Sequence, residues 1–176
     1  MKVYARRFNT YLVLAALLAS FCGCHTTDKK SKEVSALRVH LQADPNQVGA
    51  TDTISVLRGD PLSVTVMHDP ILTEANVLAA KVIDSPGGYS VEIQFDESAT
   101  LMLEQYTAAN PGRHLVVFGQ WGDKLADGRW LAAPLITHRI SNGLLAFTPD
   151  ITRKESDRFV LGLNNVSAKI HKGMFK

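Results

Sequence analysis

The chain has 176 residues, 45% of them hydrophobic and 20% charged, which is the composition of one globular domain and not of a disordered segment. The formal net charge is +2, but Lys2, Arg6 and Arg7 lie in an N-terminal segment that we expect to be removed. The remainder carries 16 basic and 17 acidic side chains, a net charge of about −1. Bulk charge therefore does not favour nucleic acid or an anionic membrane surface as a partner.

Residues 1–23 are predicted to be a bacterial secretory signal peptide. After the basic start, an apolar run of 11 residues extends from Tyr11 to Phe21. A helix needs about 20 apolar residues to cross a bilayer. The run is therefore too short for a transmembrane helix and has the length of a signal-peptide hydrophobic region.

The tripeptide Cys22-Gly23-Cys24 ends this run and resembles the lipobox of bacterial lipoproteins. In that family a small residue precedes the cysteine whose thiol receives diacylglycerol. Gly23 makes Cys24 the predicted lipid-attachment residue, although Phe21 stands where the family usually has an aliphatic residue. The alternatives are a simply cleaved signal, a short uncleaved anchor, or a Cys-x-Cys metal or redox pair, which is disfavoured because no further cysteine exists. Lipidation would anchor the protein in the cell envelope, facing the periplasm, in either the inner or the outer membrane.

Residues 24–34 are polar and lack periodicity, so they are predicted to be a flexible tether. Residues 35–69 are predicted to form short accessory β-strands. The first of these strands alternates apolar and polar residues, as a half-buried strand does, with Leu37, Val39 and Leu41 on one face. Two more strands, 54–57 and 62–67, flank a turn that contains glycine and proline.

Residues 70–172 are predicted to form the main domain, a mainly antiparallel sheet with two helices packed on one face, which is an α+β fold. Its first part is a hairpin of strands 77–83 and 89–95, joined by a turn with two glycines. Asp96 is placed to cap the first helix. The inward residues of that helix follow helical spacing: Ala99, Met102, Leu103 and Tyr106.

The second part of the main domain begins with the apolar run 115–118, which is typical of a strand covered on both faces. A long polar excursion, 119–130, leads to a strand at 131–136 that Pro134 confines to an edge or a bulge. A last strand is predicted at 144–147. Thr152 and Glu155 then form a capping box for the second helix, which ends near Ile170 and turns these residues inward: Phe159, Val160, Leu163 and Val166.

Short motifs spread over residues 70–168 form a family pattern. They are Leu72-Thr73, Val77, Ala80, Phe95-Asp96, Thr107, Asn110, Gly112, Leu115-Val116-Val117, Ala133-Pro134-Leu135-Ile136, Ile140, Gly143, Phe147-Thr148 and a helix beginning near Glu155. Together they resemble the head subdomain of the first periplasmic domain of SecD and SecDF, accessory subunits of the bacterial protein-export machine. The resemblance implies the same fold and a surface that binds polypeptide.

Three departures limit what this resemblance implies for function. The family couples movement of the head to charged membrane helices, which this chain lacks. Leu145-Ala146 replaces the glycine that usually stands shortly before the Phe-Thr pair, and the excursion 119–130 is longer than the turn of the family. The resemblance therefore implies the fold and not the proton-driven motor.

No residue pattern predicts catalysis, a metal site or a cofactor. The six histidines, at positions 25, 40, 68, 114, 138 and 171, lack the spacing of metal ligands. His68 and Asp69 are adjacent, but neighbours on an extended backbone point to opposite faces. A Gly-x-Ser-x-Gly motif and a phosphate-binding loop are both absent from the sequence. We therefore predict a protein that is not an enzyme.

The excursion 119–130 carries the candidate partner-binding residues Trp121, Lys124, Arg129 and Trp130. Aromatic and cationic side chains on an exposed hairpin are a frequent contact patch. The alternative is that both rings pack across the base of the hairpin, as cross-strand aromatic pairs do.

The leading functional hypothesis is a membrane-anchored envelope lipoprotein, not an enzyme, whose domain binds a protein or peptide partner. The first alternative is an accessory factor in protein export that acts beside the translocase, and the second is an envelope enzyme with an unrecognised site. An open sheet edge or a groove beside the Pro134 strand would favour binding. A deep pocket with converging histidines and carboxylates would favour an enzyme.

Overall fold

The computed structural model describes residues 33–44, 46 and 49–174. The predicted signal peptide, the lipid-attachment residue Cys24 and most of the predicted tether lie outside the described residues. Within the described ranges, no helix is both long enough and apolar enough to cross a membrane.

Nine β-strands and two α-helices make up this part of the chain. The strands are β1 Ala36–Leu41, β2 Thr51–Val56, β3 Leu62–Met67, β4 Leu72–Thr73, β5 Val77–Ser85, β6 Gly88–Phe95, β7 Leu115–Trp121, β8 Asp127–Ala132 and β9 Leu144–Phe147. The helices are α1 Glu97–Ala109 and α2 Arg153–Met174. The strands form a four-stranded sheet in the order β4-β1-β7-β8, a three-stranded sheet in the order β5-β6-β9, and the hairpin β2-β3. Every pairing is antiparallel, so the predicted α+β class is confirmed.

Both larger sheets and both helices contribute to one hydrophobic core. Helix α2 packs against β5, β6, β7 and β1. The side chains at its centre are fully buried and come from alternate strand positions or from helical positions three to four residues apart: Leu37, Val39, Ile93, Leu103, Phe159 and Leu163. The hydrophobic periodicity that predicted these elements is thus the pattern that buries them.

The two predicted helix starts are confirmed by their caps. Asp96 Oδ1 accepts a hydrogen bond from the backbone N–H of Ala99 at 2.7 Å. At the second helix, the backbone N–H of Thr152 donates to Glu155 Oε2 at 2.7 Å, and Glu155 N–H donates back to Thr152 Oγ1 at 3.3 Å. Each helix therefore begins where a polar side chain satisfies a backbone donor that the first turn leaves free.

Strand β1 was predicted to be one of the accessory strands, but it lies inside the four-stranded sheet. It lies between β4 and β7, with Val39 opposite both Leu72 and Val117, so it belongs to the main sheet. Glu33 was predicted to belong to the flexible tether, but it is bound to helix α2. Its carbonyl accepts from Asn165 Nδ2 at 2.9 Å, and its carboxylate lies 2.9 Å from Arg158 Nη2. The folded domain therefore begins by residue 33.

The hairpin β2-β3 covers the face of the four-stranded sheet that points away from the main core. Val56, Val64 and Val66 pack there against Val116 of β7, beside Trp130. Val117, the next residue of β7, is buried in the main core on the other face. The prediction that this strand is covered on both faces is confirmed.

The excursion between β7 and β8 is shorter than predicted. Regular pairing continues to Trp121 opposite Asp127, which leaves a turn of five residues, 122–126. Gly122, with a φ of 86°, and Lys124, with a φ of 54°, provide the left-handed conformations that so tight a turn requires. After β8, regular pairing stops at Ala132, before Pro134, as expected of a residue that cannot donate to the ladder.

Candidate functional site

The two tryptophans of the predicted contact hairpin lie on opposite faces of the four-stranded sheet. Trp121 is fully buried in the main core, with its ring centroid 6.1 Å from that of Phe159. Trp130 is partly exposed on the other face, where its ring centroid lies 5.1 Å from that of Phe118 and 5.3 Å from that of His40. The structure therefore does not bring the two rings together, and Trp121 is not accessible to a partner.

The two cationic residues of that hairpin are also separated. The guanidinium carbon of Arg129 lies 5.8 Å from the centroid of the Trp121 ring, a cation–π contact within the protein. Lys124 is exposed in the turn. Trp121, Lys124, Arg129 and Trp130 thus do not form one surface, and a partner contact by Lys124 or Trp130 stays a prediction.

Another candidate site lies beside β9, in a groove of about 510 Å³ that we call the β9 groove. Its residues come from the chain that follows β8 and from β9 itself: Leu115, residues 134–142, Leu144, Leu145 and Ala146. Leu135, one of the most exposed large apolar side chains in the described chain, is 50% exposed at its wall. The groove combines an apolar lining with two stretches of extended backbone.

Strand β9 is the outer strand of its sheet and pairs with β6 alone. Phe95 N–H donates to Gly143 O at 3.0 Å, so the alternation of an antiparallel ladder directs the backbone groups of Leu145 and Phe147 toward β6. The backbone groups of Leu144 and Ala146 then point outward. Leu144 N–H bonds to Asn142 Oδ1 at 3.1 Å, whereas the N–H and C=O of Ala146 have no partner within the described chain.

The opposite wall of the groove is the segment Pro134 to Ile136. Pro134 O accepts from Leu115 N–H at 3.0 Å, and Ile136 N–H donates to Arg113 O at 2.8 Å. These bonds tie the segment to the chain before β7, with Leu135 bridged to His114. The N–H and C=O of Leu135 itself point the other way and have no hydrogen-bond partner among the residues that the structure describes.

Helix α1 holds the loop that joins the two walls. The buried Thr107 Oγ1 donates to Leu103 O at 2.7 Å and accepts from Ile140 N–H at 2.9 Å. Arg139 Nη1 lies 3.3 Å from Glu104 Oε1. These contacts fix the loop on a rigid element, so the groove exists before any ligand arrives.

Replacing Thr107 with valine is expected to loosen this loop. Valine has nearly the same volume but no hydroxyl, so the N–H of Ile140 loses its acceptor. We expect the free energy of unfolding to fall by about 1–3 kcal/mol, the cost of an unsatisfied buried donor. Hydrogen exchange at the Ile140 amide should become faster, whereas Thr107→Ser, which keeps the hydroxyl, should leave that exchange slow.

The edges of the two larger sheets are protected unequally. On β5, the outer strand opposite β9, the N–H and C=O of Ala80 both bond to the side chain of Asn164 at 2.8 Å, and Ser167 Oγ donates to Leu78 O at 2.8 Å. On β8, Leu131 O accepts from Asp150 N–H at 2.7 Å. Uncovered edges invite pairing with another chain and are usually blocked in such ways. On the edge of β9, a side chain covers the N–H of Leu144 but not the N–H and C=O of Ala146 in the described chain.

A second, smaller cleft of about 380 Å³ brings together two histidines that sequence spacing did not connect. His68 Nδ1 lies 2.6 Å from Asp52 Oδ2, and His40 Nδ1 bonds to Met67 O at 2.9 Å. The cleft contains no nucleophilic serine or cysteine. Across the described residues, no cluster of three or more His, Cys, Asp or Glu side chains could hold a metal ion.

The two histidines should titrate on opposite sides of the ordinary histidine value of 6.5. The hydrogen bond to Asp52 raises the pKa of His68, whereas burial lowers the pKa of His40 despite its bond to Met67. The His68 pair therefore contributes stability below pH 6.5 and loses it as the pH rises through the higher folded pKa. His40 contributes stability above pH 6.5 and loses it as the pH falls.

An NMR titration of both rings measures these pKa values. In Asp52→Asn the pKa of His68 should return toward 6.5, whereas that of His40 should stay below it. An unchanged pKa of His68 in this variant would mean that Asp52 does not raise it.

Comparison with known proteins identifies a known fold for this domain. No protein-family model and no curated protein matches the chain. Among solved structures, a SecDF described as a membrane component that enhances protein export matches with a TM-score of 0.53 and 20% identity, over 82% of this chain and 71% of the other. SecDF in a super-membrane-facing form matches with a TM-score of 0.55 and 19% identity, over 81% of this chain but only 21% of that one.

These likenesses define the domain as one of the α+β class with the SecD-type head fold. The resemblance seen in the sequence is thus confirmed for the fold. At such identities the likeness extends no further than the fold, and this chain spans about a fifth of the length of the second SecDF.

Proposed function

We propose that this is a periplasm-facing envelope protein that binds an extended polypeptide segment of a protein partner at the β9 groove. The observation that carries this proposal is the open edge of β9, in a domain whose β5 edge is covered by α2. A row of free backbone N–H and C=O groups pairs with any extended chain, and the apolar lining adds side-chain contacts. The lipid anchor at Cys24 would hold the domain at the membrane.

An enzymatic function has less support from the same site. The groove contains His138 and Arg139, but Arg139 is paired with Glu104, and the lining includes no carboxylate. A general acid–base pair needs two titratable groups within reach of one substrate. Binding without chemistry accounts for the groove more simply.

A role in protein export is the second candidate. It is favoured by the fold likeness to SecDF, a protein described as enhancing protein export. Crosslinking and pull-down of the tagged protein from intact envelopes tests it. Recovery of translocase subunits would support the export role, and a different stable partner without them would count against it.

Replacing Ala146 with proline is expected to abolish polypeptide binding and to leave the fold intact. The N–H of Ala146 points away from β6, so proline removes a donor that the sheet does not use, and edge strands tolerate proline at such positions. We expect at least a tenfold loss of affinity for an unfolded polypeptide probe, such as reduced and carboxymethylated α-lactalbumin, measured by calorimetry.

The matched control is Thr53→Pro. Thr53 also lies in an edge strand, and its N–H likewise points outward, because His68 N–H donates to Ala50 O in the same ladder. Thr53 is not among the residues that line the β9 groove. Equal losses of affinity in the two variants, or none in Ala146→Pro, would contradict binding at β9.

A further inference from the structure

We infer that the bound segment inserts as a strand between β9 and the segment Pro134 to Ile136, hydrogen-bonding to both, so that the three-stranded and four-stranded sheets become one. This inference rests on the proposed function and specifies how the same groove holds its ligand. The ligand is then a segment whose backbone N–H and C=O groups are free on both of its edges.

The first step is the pair of unsatisfied edges. On β9, the N–H and C=O of Ala146 and the C=O of Leu144 point outward, and on the opposite wall the N–H and C=O of Leu135 do the same. Both sets line one groove, and neither set has a partner within the described structure. An extended chain has donors and acceptors that alternate between its two edges, which is the arrangement that satisfies two opposed rows at once.

The second step is that the walls do not bond to each other. Residues 137–143 connect them directly, and these seven residues exceed the two to five that usually join the paired strands of a hairpin. Here α1 holds the loop through Thr107 and Glu104, and the two edges face a shared space instead. We assign the bound strand to this space, because residues of both walls line it and their backbone groups are free.

The third step concerns the side chains that fit. The lining is mainly apolar, from Leu115, Leu135, Ile140 and Leu144. The charge of Arg139 is neutralised by Glu104. The groove therefore favours a short uncharged segment with apolar side chains at alternate positions, such as an unfolded or strand-forming stretch of a protein.

N-methylated peptides test the two-sided geometry. The probe is a capped peptide of alternating valine and threonine with a lysine at each end, compared with two series that carry N-methyl groups at odd or at even positions. A strand bound on both edges uses odd and even N–H groups toward different neighbours, so each series should bind at least tenfold more weakly than the parent peptide. NMR hydrogen exchange should show protection of the Leu135 and Ala146 amides together.

The outcomes separate this inference from the proposed function. If the parent peptide binds and Ala146→Pro abolishes binding, but one N-methyl series binds normally and Leu135 stays unprotected, the ligand adds to β9 alone and the insertion is overturned. If neither the parent peptide nor the unfolded probe binds the domain, the proposed function fails and the inference fails with it. Weakening of both series with protection of both amides supports insertion.

Discussion

Replacing Trp121 with alanine is expected to lower the free energy of unfolding by about 3–5 kcal/mol, the range for removing a fully buried aromatic side chain. Trp121 has no exposed area, and its ring packs edge-on against Phe159 of α2. Its loss would leave a cavity between the four-stranded sheet and this helix. Urea unfolding followed by circular dichroism measures the change without depending on tryptophan fluorescence.

Two controls show whether this cost comes from burial. Trp130→Ala removes the same ring from a partly exposed position, so we expect a smaller loss of about 1–2 kcal/mol. Trp121→Phe should also cost less than alanine, because the indole N–H of Trp121 has no hydrogen-bond partner in the described structure. Similar losses for Trp121→Ala and Trp130→Ala would contradict the placement of the rings on opposite faces.

Replacing Gly143 with alanine is expected to destabilise the domain by about 2–4 kcal/mol, from left-handed strain together with a steric clash. Gly143 has a φ of 67°, and an added Cβ would collide with Thr100 Oγ1 and lie 3.0 Å from Gln94 Nε2. The glycine lets the loop enter β9 directly over α1. Thermal or urea unfolding measures the loss of stability.

Gly87 provides the matched control for this substitution. Its φ of 86° is also left-handed, but nothing lies within 4 Å of an added Cβ. Gly87→Ala should therefore cost only the backbone strain, about 1 kcal/mol. Thr100→Ala should recover part of the loss in Gly143→Ala, and an unchanged loss in the double variant would mean that the clash is not its cause.

The local elements of the fold could be predicted from the sequence because their causes are local. Asp96, Thr152 and Glu155 cap helices within three residues of themselves, and the regular strand β8 ends at Ala132, two residues before Pro134. The place of β1 could not be predicted in this way. Its pairing of Val39 with Val117 joins residues far apart in the chain, and alternation alone does not reveal the neighbour of a strand.

In the candidate site, too, local features could be predicted and long-range pairing could not. Pro134 predicted an edge or a bulge, but the groove also needs β9 as the outer strand of the other sheet, which depends on long-range strand order. Trp121 was wrongly predicted as a partner-binding residue because the turn between β7 and β8 was predicted to be longer than it is. With Trp121 opposite Asp127 and Phe118 opposite Trp130, the positions of the two tryptophans differ by an odd number of pairs, so their rings lie on opposite faces.

The cover of the β5 edge has a consequence for the order of folding. Asn164 bonds to Ala80 across 84 residues of chain and Ser167 to Leu78 across 89, so β5 gains these side-chain partners only when the last helix docks. Until then both outer strands of the three-stranded sheet are exposed, as they would be on a nascent chain that has not yet produced α2. Edge-to-edge association of two copies is therefore most favoured during this interval, and early docking of the C-terminal helix protects the chain from aggregation.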